Sequence, residues 1–328
     1  MSLRLALVGC GTIARRVHLP AFRRLGTERA DLVAFSSRSR VSAEATAAEW
    51  GSGAVVEDWR AVIERPDVDA VDICCPNGLH AEVAIAAARA GKHVLVEKPM
   101  AVTVAEADEM IRAATDAGVV LSVAHNLRYA PAYRTVREVV RSGRIGRVVG
   151  FRTAFGHSGP QDWAPEADWF HDPLRAGGGA LIDLGVHVAD LLRFVLDDEA
   201  VEAAAMLAWR VPGIDEAAQV VLNMRSGAIG SLHASWVARP GPDRQLTLFG
   251  SDGTVHAPSL SDVELRSADG VVQSVDLERP AGSPYRDFVD ACQGIPGAHV
   301  TGAEGRAALA VVEAAYRSAR SHAFAAVE

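Results

Sequence analysis

Three regularly spaced polar side chains occur in a largely apolar segment that spans residues 176–196. Asp183, His187 and Asp190 follow the spacing i, i+4 and i+7, which places them on one face of a helix. Carboxylate and imidazole groups are costly to bury unless they are paired or take part in chemistry. This face is therefore predicted either to pair internally or to move protons and bind polar groups.

Lysine occurs at only two positions, Lys92 and Lys98, among 33 basic residues. Lys98 stands between the apolar run 93–96 and Pro99, and a proline biases the residue before it away from helix. The side chain is therefore expected at the carboxyl end of a strand, where open α/β sheets bind ligands. Lysine, unlike arginine, can exchange its proton, so Lys98 is a candidate for proton transfer or for stabilising a developing negative charge. The alternative is a surface lysine before a turn.

A glycine-rich loop follows the apolar run 5–8 and precedes a helical pattern. In its pattern G-x-G-x-x-A, Gly9 permits a tight turn, Gly11 lets the backbone approach a pyrophosphate, and Ala14 keeps the helix close to the sheet. The first helical turn, which includes Thr12 and Ile13, aims free N–H groups at the phosphates. The loop predicts a dinucleotide site, and the alternative is a glycine-rich turn in an unrelated α/β domain.

The first 123 residues alternate apolar runs with helical patterns, which indicates crossover units and a doubly wound parallel sheet. The predicted strands cover residues 4–8, 32–36, 54–56, 70–74, 93–96 and 119–123. The predicted helices cover residues 13–25, 43–50, 59–64, 79–90 and 104–117.

From residue 124 onwards the pattern changes. A bridging helix is predicted at residues 132–142 and a strand at 148–155, and two helices close the chain near 285–292 and 302–321. Between them, period-two runs separated by turn signals predict an antiparallel sheet with one exposed face. These runs are 202–211, 217–224, 228–237, 244–249, 263–266 and 271–277. We therefore expect an α/β domain over residues 1–123 and an α+β domain over residues 124–328.

Composition and charge exclude several classes of protein. The net charge of −8 argues against general nucleic-acid binding, and no apolar run approaches the roughly 20 residues that a membrane helix needs. The N-terminal run is too short and too rich in glycine for a signal peptide. The four cysteines form no C-x-x-C pair, so buried thiols and a cytoplasmic location are expected.

Four segments occur in the order and spacing of the Gfo/Idh/MocA family, which includes glucose–fructose oxidoreductase and inositol dehydrogenase. The segments are residues 9–14, 76–80, 97–99 and 177–190, and the chain resembles the family over essentially its whole length. The resemblance implies a Rossmann domain, a second domain with a large open antiparallel sheet, and NAD(P)-dependent chemistry on sugars or cyclitols.

The resemblance also implies roles for individual residues. Lys98, Asp183 and His187 would form the catalytic set, with Asp183 fixing the tautomer of His187. Asn77 and His80 would lie near the nicotinamide ribose, and the Lys98–Pro99 peptide bond would be cis. Pro76 and Glu97 complete the expected cofactor-binding set. On this interpretation, the polar face of the helix lies opposite Lys98 and the nicotinamide.

Candidate substrate-binding residues are less specific. Arg128 follows the sixth predicted strand, His157 and Trp163 lie in the loop after residue 155, and Asp190 ends the polar stripe. Trp163 in that loop would stack on a sugar face or pack in the core. A metal site built from His157, His171, Asp183 and His187 is the weaker alternative, because no H-E-x-x-H motif or cysteine ligand supports it, and no metal is predicted.

Three functions are consistent with these motifs. The first is a sugar or cyclitol dehydrogenase, the second a redox-assisted glycosidase, and the third a non-catalytic NAD(P)-sensing regulator. A regulator is expected to lack the lysine or the histidine, and both Lys98 and His187 are present. We expect a small-molecule substrate and a homo-oligomer, a dimer or a tetramer, with neither nucleic-acid nor membrane partners.

The end of the second predicted strand bears on cofactor choice. NAD-selective Rossmann domains usually place an acidic residue there, on the ribose 2′-hydroxyl, but Ser37 and Arg38 follow the run 32–36 in this chain. Serine and arginine side chains can bind a 2′-phosphate, so NADP(H) is favoured over NAD(H). The alternative is a polar helix start with Ser42 as cap and the arginines in solvent.

Overall fold

The computed structural model describes residues 2–239, 243–278, 282–297 and 299–328, which form two compact units. Unit 1 comprises Met1–His125, Glu166–Gly177 and Gly282–Arg306, and unit 2 comprises Asn126–Pro165, Gly178–Ala281 and Ala307–Glu328. The predicted division into residues 1–123 and 124–328 differs from this arrangement, because two later segments of the chain belong to unit 1.

Non-local contacts attach these two segments to unit 1. The side-chain amide of Asn77 donates to the carbonyl oxygen of Ala176 at 2.9 Å. Tyr285 lies edge-on to Phe22, with ring centroids 5.5 Å apart, and both rings belong to one buried apolar core. Local sequence patterns carry no signal for contacts between such distant residues, so the sequence did not predict the split.

Unit 1 is built on a six-stranded parallel sheet with the strand order β3-β2-β1-β4-β5-β6. The strands are β1 (Leu3–Val8), β2 (Ala30–Ser36), β3 (Ala54–Val56), β4 (Ala70–Ile73), β5 (His93–Val96) and β6 (Leu121–Val123). Helices cover both faces of such a sheet, so its central strands are mostly apolar. This doubly wound sheet is the predicted Rossmann fold.

Eleven α-helices are present in the described residues. They are α1 (Leu19–Leu25), α2 (Arg40–Trp50), α3 (Trp59–Ile63), α4 (His80–Arg89), α5 (Val104–Ala117), α6 (Pro131–Arg141), α7 (Pro160–Trp163), α8 (Pro173–Ala176), α9 (Val186–Leu196), α10 (Pro284–Cys292) and α11 (Gly302–Ser321). None of the helices in this part of the chain is long and apolar enough to cross a membrane.

Unit 2 contains a nine-stranded sheet with the order β14-β13-β12-β11-β7-β10-β9-β8-β15. Its strands are β7 (Val148–Gly156), β8 (Ala200–Val211), β9 (Ile214–Met224), β10 (Ile229–Ser235), β11 (Asp243–Gly250), β12 (Gly253–Ala257), β13 (Glu264–Ser267), β14 (Val272–Ser274) and β15 (Ala325–Ala326). All neighbouring pairs are antiparallel except β7 and β10, which are parallel. The sheet is therefore mixed rather than purely antiparallel, and the sequence analysis missed β12 and β15.

The two faces of this sheet differ in burial. Along β9, Ala218, Val220 and Leu222 are buried, whereas the alternate residue Val221 is exposed. The pairing of the strands places three exposed apolar side chains on the same face as Val221. They are Met206 on β8, Ile229 on β10 and Phe249 on β11. One face is therefore core, and the other is exposed and carries apolar side chains among polar ones such as Gln219 and Arg152.

Candidate active site

The glycine-rich loop has the backbone that a phosphate loop requires. Gly9 has φ +98°, and a Cβ atom at this position would collide with the backbone of Cys74 and Cys75. At Gly11, in contrast, a Cβ atom would meet no atom within 4 Å, so this part of the loop faces open space. The loop therefore packs tightly on its sheet side and leaves its outer side accessible, which fits a bound pyrophosphate.

A π-helical turn, Ala14–His18, follows the loop and leads into α1, where the sequence predicted one regular helix. Ala14 is completely buried, in agreement with its predicted role in close helix packing. Thr12 donates its hydroxyl to the carboxylate of Glu166, a residue of the segment Glu166–Gly177 in unit 1. Ile13 is partly buried against the apolar core of unit 1.

Helix α2, which follows β2, is capped by a different residue from the one expected in the alternative above. Ser39 is the N-cap, and its hydroxyl oxygen accepts from the backbone N–H of Ser42, so Ser42 is not the cap. Arg40 is held by Glu44 and Glu57, each at 2.8 Å. Arg38 is exposed and lies 3.7 Å from Asp168, and Arg40 is also exposed, so both arginines face solvent as the alternative expected. Ser37 is partly buried.

The loop after β4 is anchored by Asn77 and His80. A 3₁₀ turn, Asn77–Leu79, follows Pro76 and precedes α4, with Asn77 bound to Ala176 as described above. The two ring nitrogens of His80 lie 2.8 Å from the carbonyl oxygens of Pro99 and Cys75. Burial lowers the pKa of His80. His80 thus connects the loops that follow β4 and β5.

Lys98 stands two residues after the end of β5, and its peptide bond to Pro99 is cis, as the resemblance implied. The carboxylate of Glu97 accepts from the backbone N–H of Lys98 at 3.0 Å. The other oxygen of Glu97 lies 2.9 Å from the Nε2 atom of His18. The position of Lys98 at the carboxyl edge of the parallel sheet is the one that the sequence predicted.

The sequence analysis missed His18 and Asp72, which lie behind Glu97. Asp72 belongs to β4, and its carboxylate lies 2.8 Å from the Nδ1 atom of His18. Both residues are completely buried. A carboxylate within the apolar run 70–74 was the available signal, because such a group is buried only with a partner.

In unit 2, the polar helix face begins with a π-helical turn, Leu181–Gly185, and continues into α9. Departures of this kind from a regular helix are frequent at functional sites. Asp215 fixes the start of the turn, because its carboxylate accepts from the backbone N–H groups of Gly179 and Leu181 and from the hydroxyl of Tyr316, at 2.6–2.9 Å. Asp215 was not identified from the sequence.

The side chains of Trp236 and His157 contact the carboxylate of Asp183. Trp236 donates its indole N–H to Asp183 at 2.9 Å, and the Nε2 atom of His157 lies 3.6 Å away. The Nδ1 atom of His157 accepts from the backbone N–H of Gly159 at 2.9 Å, so the ring carries its proton on Nε2, facing Asp183. Trp163 packs edge-on against His157, with centroids 6.4 Å apart.

His187 and Asp190 lie further along the same helix. The ring of His187 packs against Phe155, with centroids 5.5 Å apart. Asp190 is completely buried, and both of its oxygens accept from the guanidinium of Arg128, at 2.6 and 2.7 Å. Two of the predicted substrate-binding residues therefore bind each other.

Unit 1 thus contains the predicted phosphate loop and Lys98, and unit 2 contains the predicted stripe of Asp183, His187 and Asp190. In the described part of the chain, three potential metal ligands come together only at His18, Asp72 and Cys74. Of the four residues in the alternative metal site considered above, His157 and Asp183 lie close to each other, with Nε2 3.6 Å from the carboxylate.

Comparisons with known proteins agree with this arrangement. Residues 3–125 match the model of the oxidoreductase family with an NAD-binding Rossmann fold, and residues 133–256 match the GFO/IDH/MocA C-terminal domain. The chain is 35% identical to 1,5-anhydro-D-fructose reductase of Ensifer adhaerens, over 95% of this chain and 96% of the relative. It is 30% identical to inositol 2-dehydrogenase of Rhizobium meliloti, over 97% of each chain.

A solved structure supports the same assignment. Levoglucosan dehydrogenase in complex with NADH and levoglucosan superposes with a TM-score of 0.89 at 26% identity, over all of both chains. The relatives are dehydrogenases and reductases of sugars and cyclitols. The chain therefore belongs to the Gfo/Idh/MocA family of NAD-binding oxidoreductases.

Proposed function

We propose that this protein is an NAD(P)-dependent dehydrogenase or reductase that interconverts a secondary alcohol and a ketone on a sugar, cyclitol or related polyol. Family membership supports the reaction class, and the names of the relatives support the substrate class. The single observation that carries the proposal is Lys98, a lysine in an arginine-rich chain, held at the carboxyl edge of the nucleotide-binding sheet.

The residues of this chain supply binding, orientation and proton transfer. Gly9, Gly11 and the start of the following helix bind the pyrophosphate. The nicotinamide, when bound, accepts or supplies a hydride. Lys98 stabilises the developing alkoxide or passes on its proton, and His187 accepts the hydroxyl proton of the alcohol. Asp183 orients the imidazole of His187.

Arg128, His157 and Trp163 are proposed to contact the substrate. Asp190 is buried and both of its oxygens bind Arg128, so its proposed role is to position that guanidinium rather than to meet a substrate hydroxyl itself. The Nε2–H of His157 is a hydrogen-bond donor, and the ring of Trp163 provides a flat apolar surface of the kind on which sugar rings stack.

The test is a screen of anhydrosugars, inositols, free sugars and their keto forms, with the absorbance of reduced nicotinamide as the readout. We expect a stoichiometric change with at least one polyol or its ketone. Cleavage of a glycoside without net change in NAD(P)H would instead show a redox-assisted glycosidase. Cofactor binding without any turnover across the panel would favour a sensor, and either result would overturn the proposal.

We also propose that NADP(H) is preferred over NAD(H), although the related structure contains NADH. No carboxylate follows β2 at Ser37 to repel a 2′-phosphate, and the guanidinium of Arg38 is exposed. Arg38→Ala is expected to weaken NADPH binding by about tenfold, because a charge-assisted hydrogen bond contributes roughly 1.5–3 kcal/mol. NADH binding should not change. Fluorescence titration of both cofactors measures this.

Arg40→Ala is the matched control, because Glu44 and Glu57 already bind the guanidinium of Arg40. Its affinity for NADPH should stay close to that of the unmodified protein. Ser37→Asp should reverse the preference, because its carboxylate repels the phosphate and accepts from the 2′-hydroxyl. Tighter binding of NADH than of NADPH by the unmodified protein, together with no response to Arg38→Ala, would contradict this proposal.

We further propose that the exposed face of the nine-stranded sheet forms a homo-oligomer. Met206 on this face is 81% exposed, and Val221, Ile229 and Phe249 extend the apolar surface across neighbouring strands. Such contiguous apolar surface is typical of an interface. Met206→Glu is expected to reduce the mass measured by light scattering to that of a monomer, whereas Ile295→Glu, at an exposed apolar residue of unit 1, should not. A monomeric unmodified protein would disprove the proposal.

A further inference from the structure

A buried charged cluster lies next to Lys98 and takes no part in the mechanism above. His18 makes hydrogen bonds to two carboxylates, with Nδ1 2.8 Å from Asp72 and Nε2 2.9 Å from Glu97. His18 and Asp72 have no exposed surface, and all three residues belong to unit 1. Burial of three ionisable groups is costly unless they balance one another.

With both carboxylates ionised, the geometry favours a proton on each ring nitrogen of His18. Both neighbours are carboxylates, which only accept, so a neutral ring would direct one lone pair at a negative oxygen. Burial alone would lower the pKa of His18, but the charge of Asp72 holds this pKa well above its ordinary value. Burial also raises the pKa of Asp72, and the hydrogen bond from His18 keeps the pKa of Glu97 below its usual range.

Two further titratable groups face His18. The Sγ atom of Cys74 lies 3.3 Å from Nδ1, and the ring of Tyr285 packs edge-on at 4.7 Å. Burial raises the pKa of both, so both remain neutral. With His18 protonated and both carboxylates ionised, the cluster carries a net charge of −1. Because the donors and acceptors of His18, Asp72 and Cys74 already bind one another, the geometry is that of a hydrogen-bond network rather than a metal site.

The network reaches Lys98 through Glu97. One oxygen of Glu97 faces His18, and the other accepts the backbone N–H of Lys98 at 3.0 Å. On the far side, the ring of His80 lies 2.8 Å from the carbonyl oxygen of Pro99. The backbone of Lys98 and Pro99 is thus held by two side chains, Glu97 and His80. A shift of the Glu97 carboxylate would therefore shift the backbone of Lys98.

We propose that His18, Asp72 and Glu97 form a positioning network for Lys98, which fixes its backbone and keeps one net negative charge behind its ammonium group. This inference rests on the proposed function, because it assigns the network to the reaction that Lys98 serves. His18 and Asp72 are positioning residues, since they act through Glu97 and do not touch the substrate.

The kinetic test combines one substitution that should lower kcat with a second that should partly restore it. His18→Phe keeps an aromatic ring but removes the imidazole that both buried carboxylates face, and kcat is expected to fall by about 10²-fold, the usual cost of misplacing a reacting group. The pH profile of kcat should also differ from that of the unmodified protein, because two buried carboxylates that no longer face an imidazolium take up a proton more readily. The Kd for NADPH should change by less than about threefold, since the phosphate loop is unchanged.

The double variant His18→Phe/Asp72→Leu should have a kcat at least about tenfold higher than that of His18→Phe, because removing one carboxylate restores the net charge of −1 around Glu97. Asp72→Asn alone should cost less than about threefold, since an amide can still pair with His18. If these residues act only through packing, the double variant should have a lower kcat than His18→Phe. That result, or a His18→Phe variant with unchanged kcat and pH profile, would overturn the proposal.

A second measurement needs neither substrate nor turnover. In histidine-labelled protein, the nitrogen-15 NMR signal of His18 is assigned by its loss in His18→Phe, or in His18→Gln if the former does not fold. We expect both ring nitrogens to carry protons across pH 6–9. A neutral His18 at pH 7 would refute the network even if the enzyme is active, whereas an imidazolium in a protein inactive towards every polyol would refute only the proposed function.

Discussion

Lys98→Met is expected to lower kcat by at least about 10²-fold, the scale of a lost acid–base or charge-stabilising group. Methionine has a similar length but carries neither charge nor proton, so the change removes the chemistry of the ammonium group and keeps most of the volume. The hydrogen bond from the backbone N–H of residue 98 to Glu97 should survive, because it does not involve the side chain. Initial-rate measurements and NADPH titration measure the two effects separately, and cofactor affinity should stay nearly unchanged.

Lys92→Met is the matched control, because Lys92 and Lys98 are the only lysines and lie on either side of strand β5. The Nζ atom of Lys92 donates to the backbone carbonyls of Arg65 and Val68, at 3.0 and 2.7 Å. This substitution should reduce the free energy of unfolding and leave kcat close to that of the unmodified protein. Near-normal turnover in a folded Lys98→Met variant would remove Lys98 from the mechanism.

The parallel sheet was predictable because its signals are local. Each buried strand is a short apolar run, and each helix between strands has its own polar and apolar pattern. The position of Lys98 follows from the same signals, because Pro99 marks where the strand ends. The mixed sheet was harder, since β12 is only five residues long and begins with Gly253, a residue type that is typical of turns. The parallel pairing of β7 with β10 depends on contacts between distant segments.

The side-chain partners were mostly not predictable. The sequence identified the stripe of Asp183, His187 and Asp190, but the partners Trp236 and Arg128 come from a strand end and a short 3₁₀ turn elsewhere in unit 2. Asp215, which fixes the start of the helix, lies on β9. A hydrogen bond between residues far apart in sequence leaves no periodic pattern.

His18 shows a different reason for a missed residue. The phosphate-loop pattern ends at Ala14, and a lone buried histidine in the following turn is most often satisfied within the core. The informative residue was Asp72, since a carboxylate in a strand that is buried on both faces needs a partner. Burial was predictable at Asp72, but the identity of its partner required the fold.

The second large effect is expected for Asp183 and His187. His187→Ala and Asp183→Ala should each lower kcat by about 10²–10⁴-fold, because the first removes the proposed base and the second the carboxylate that orients it. Trp236 and His157 contact the carboxylate of Asp183, so this group is held in place and is not a mobile surface charge. Trp236→Phe removes one of these contacts and should cause a smaller loss of kcat than Asp183→Ala.

The double variant distinguishes a shared step from two separate roles. If Asp183 acts only by orienting His187, then removing both side chains should cost little more than the more damaging single change, within about threefold, because groups that act as a unit are not additive. Values of kcat and kcat/KM are measured for the unmodified protein, the two single variants and the double variant, and circular dichroism checks that each protein is folded. Losses that multiply fully would show that Asp183 and His187 serve different steps, and Asp183 would then be better assigned to substrate binding together with its neighbour His157.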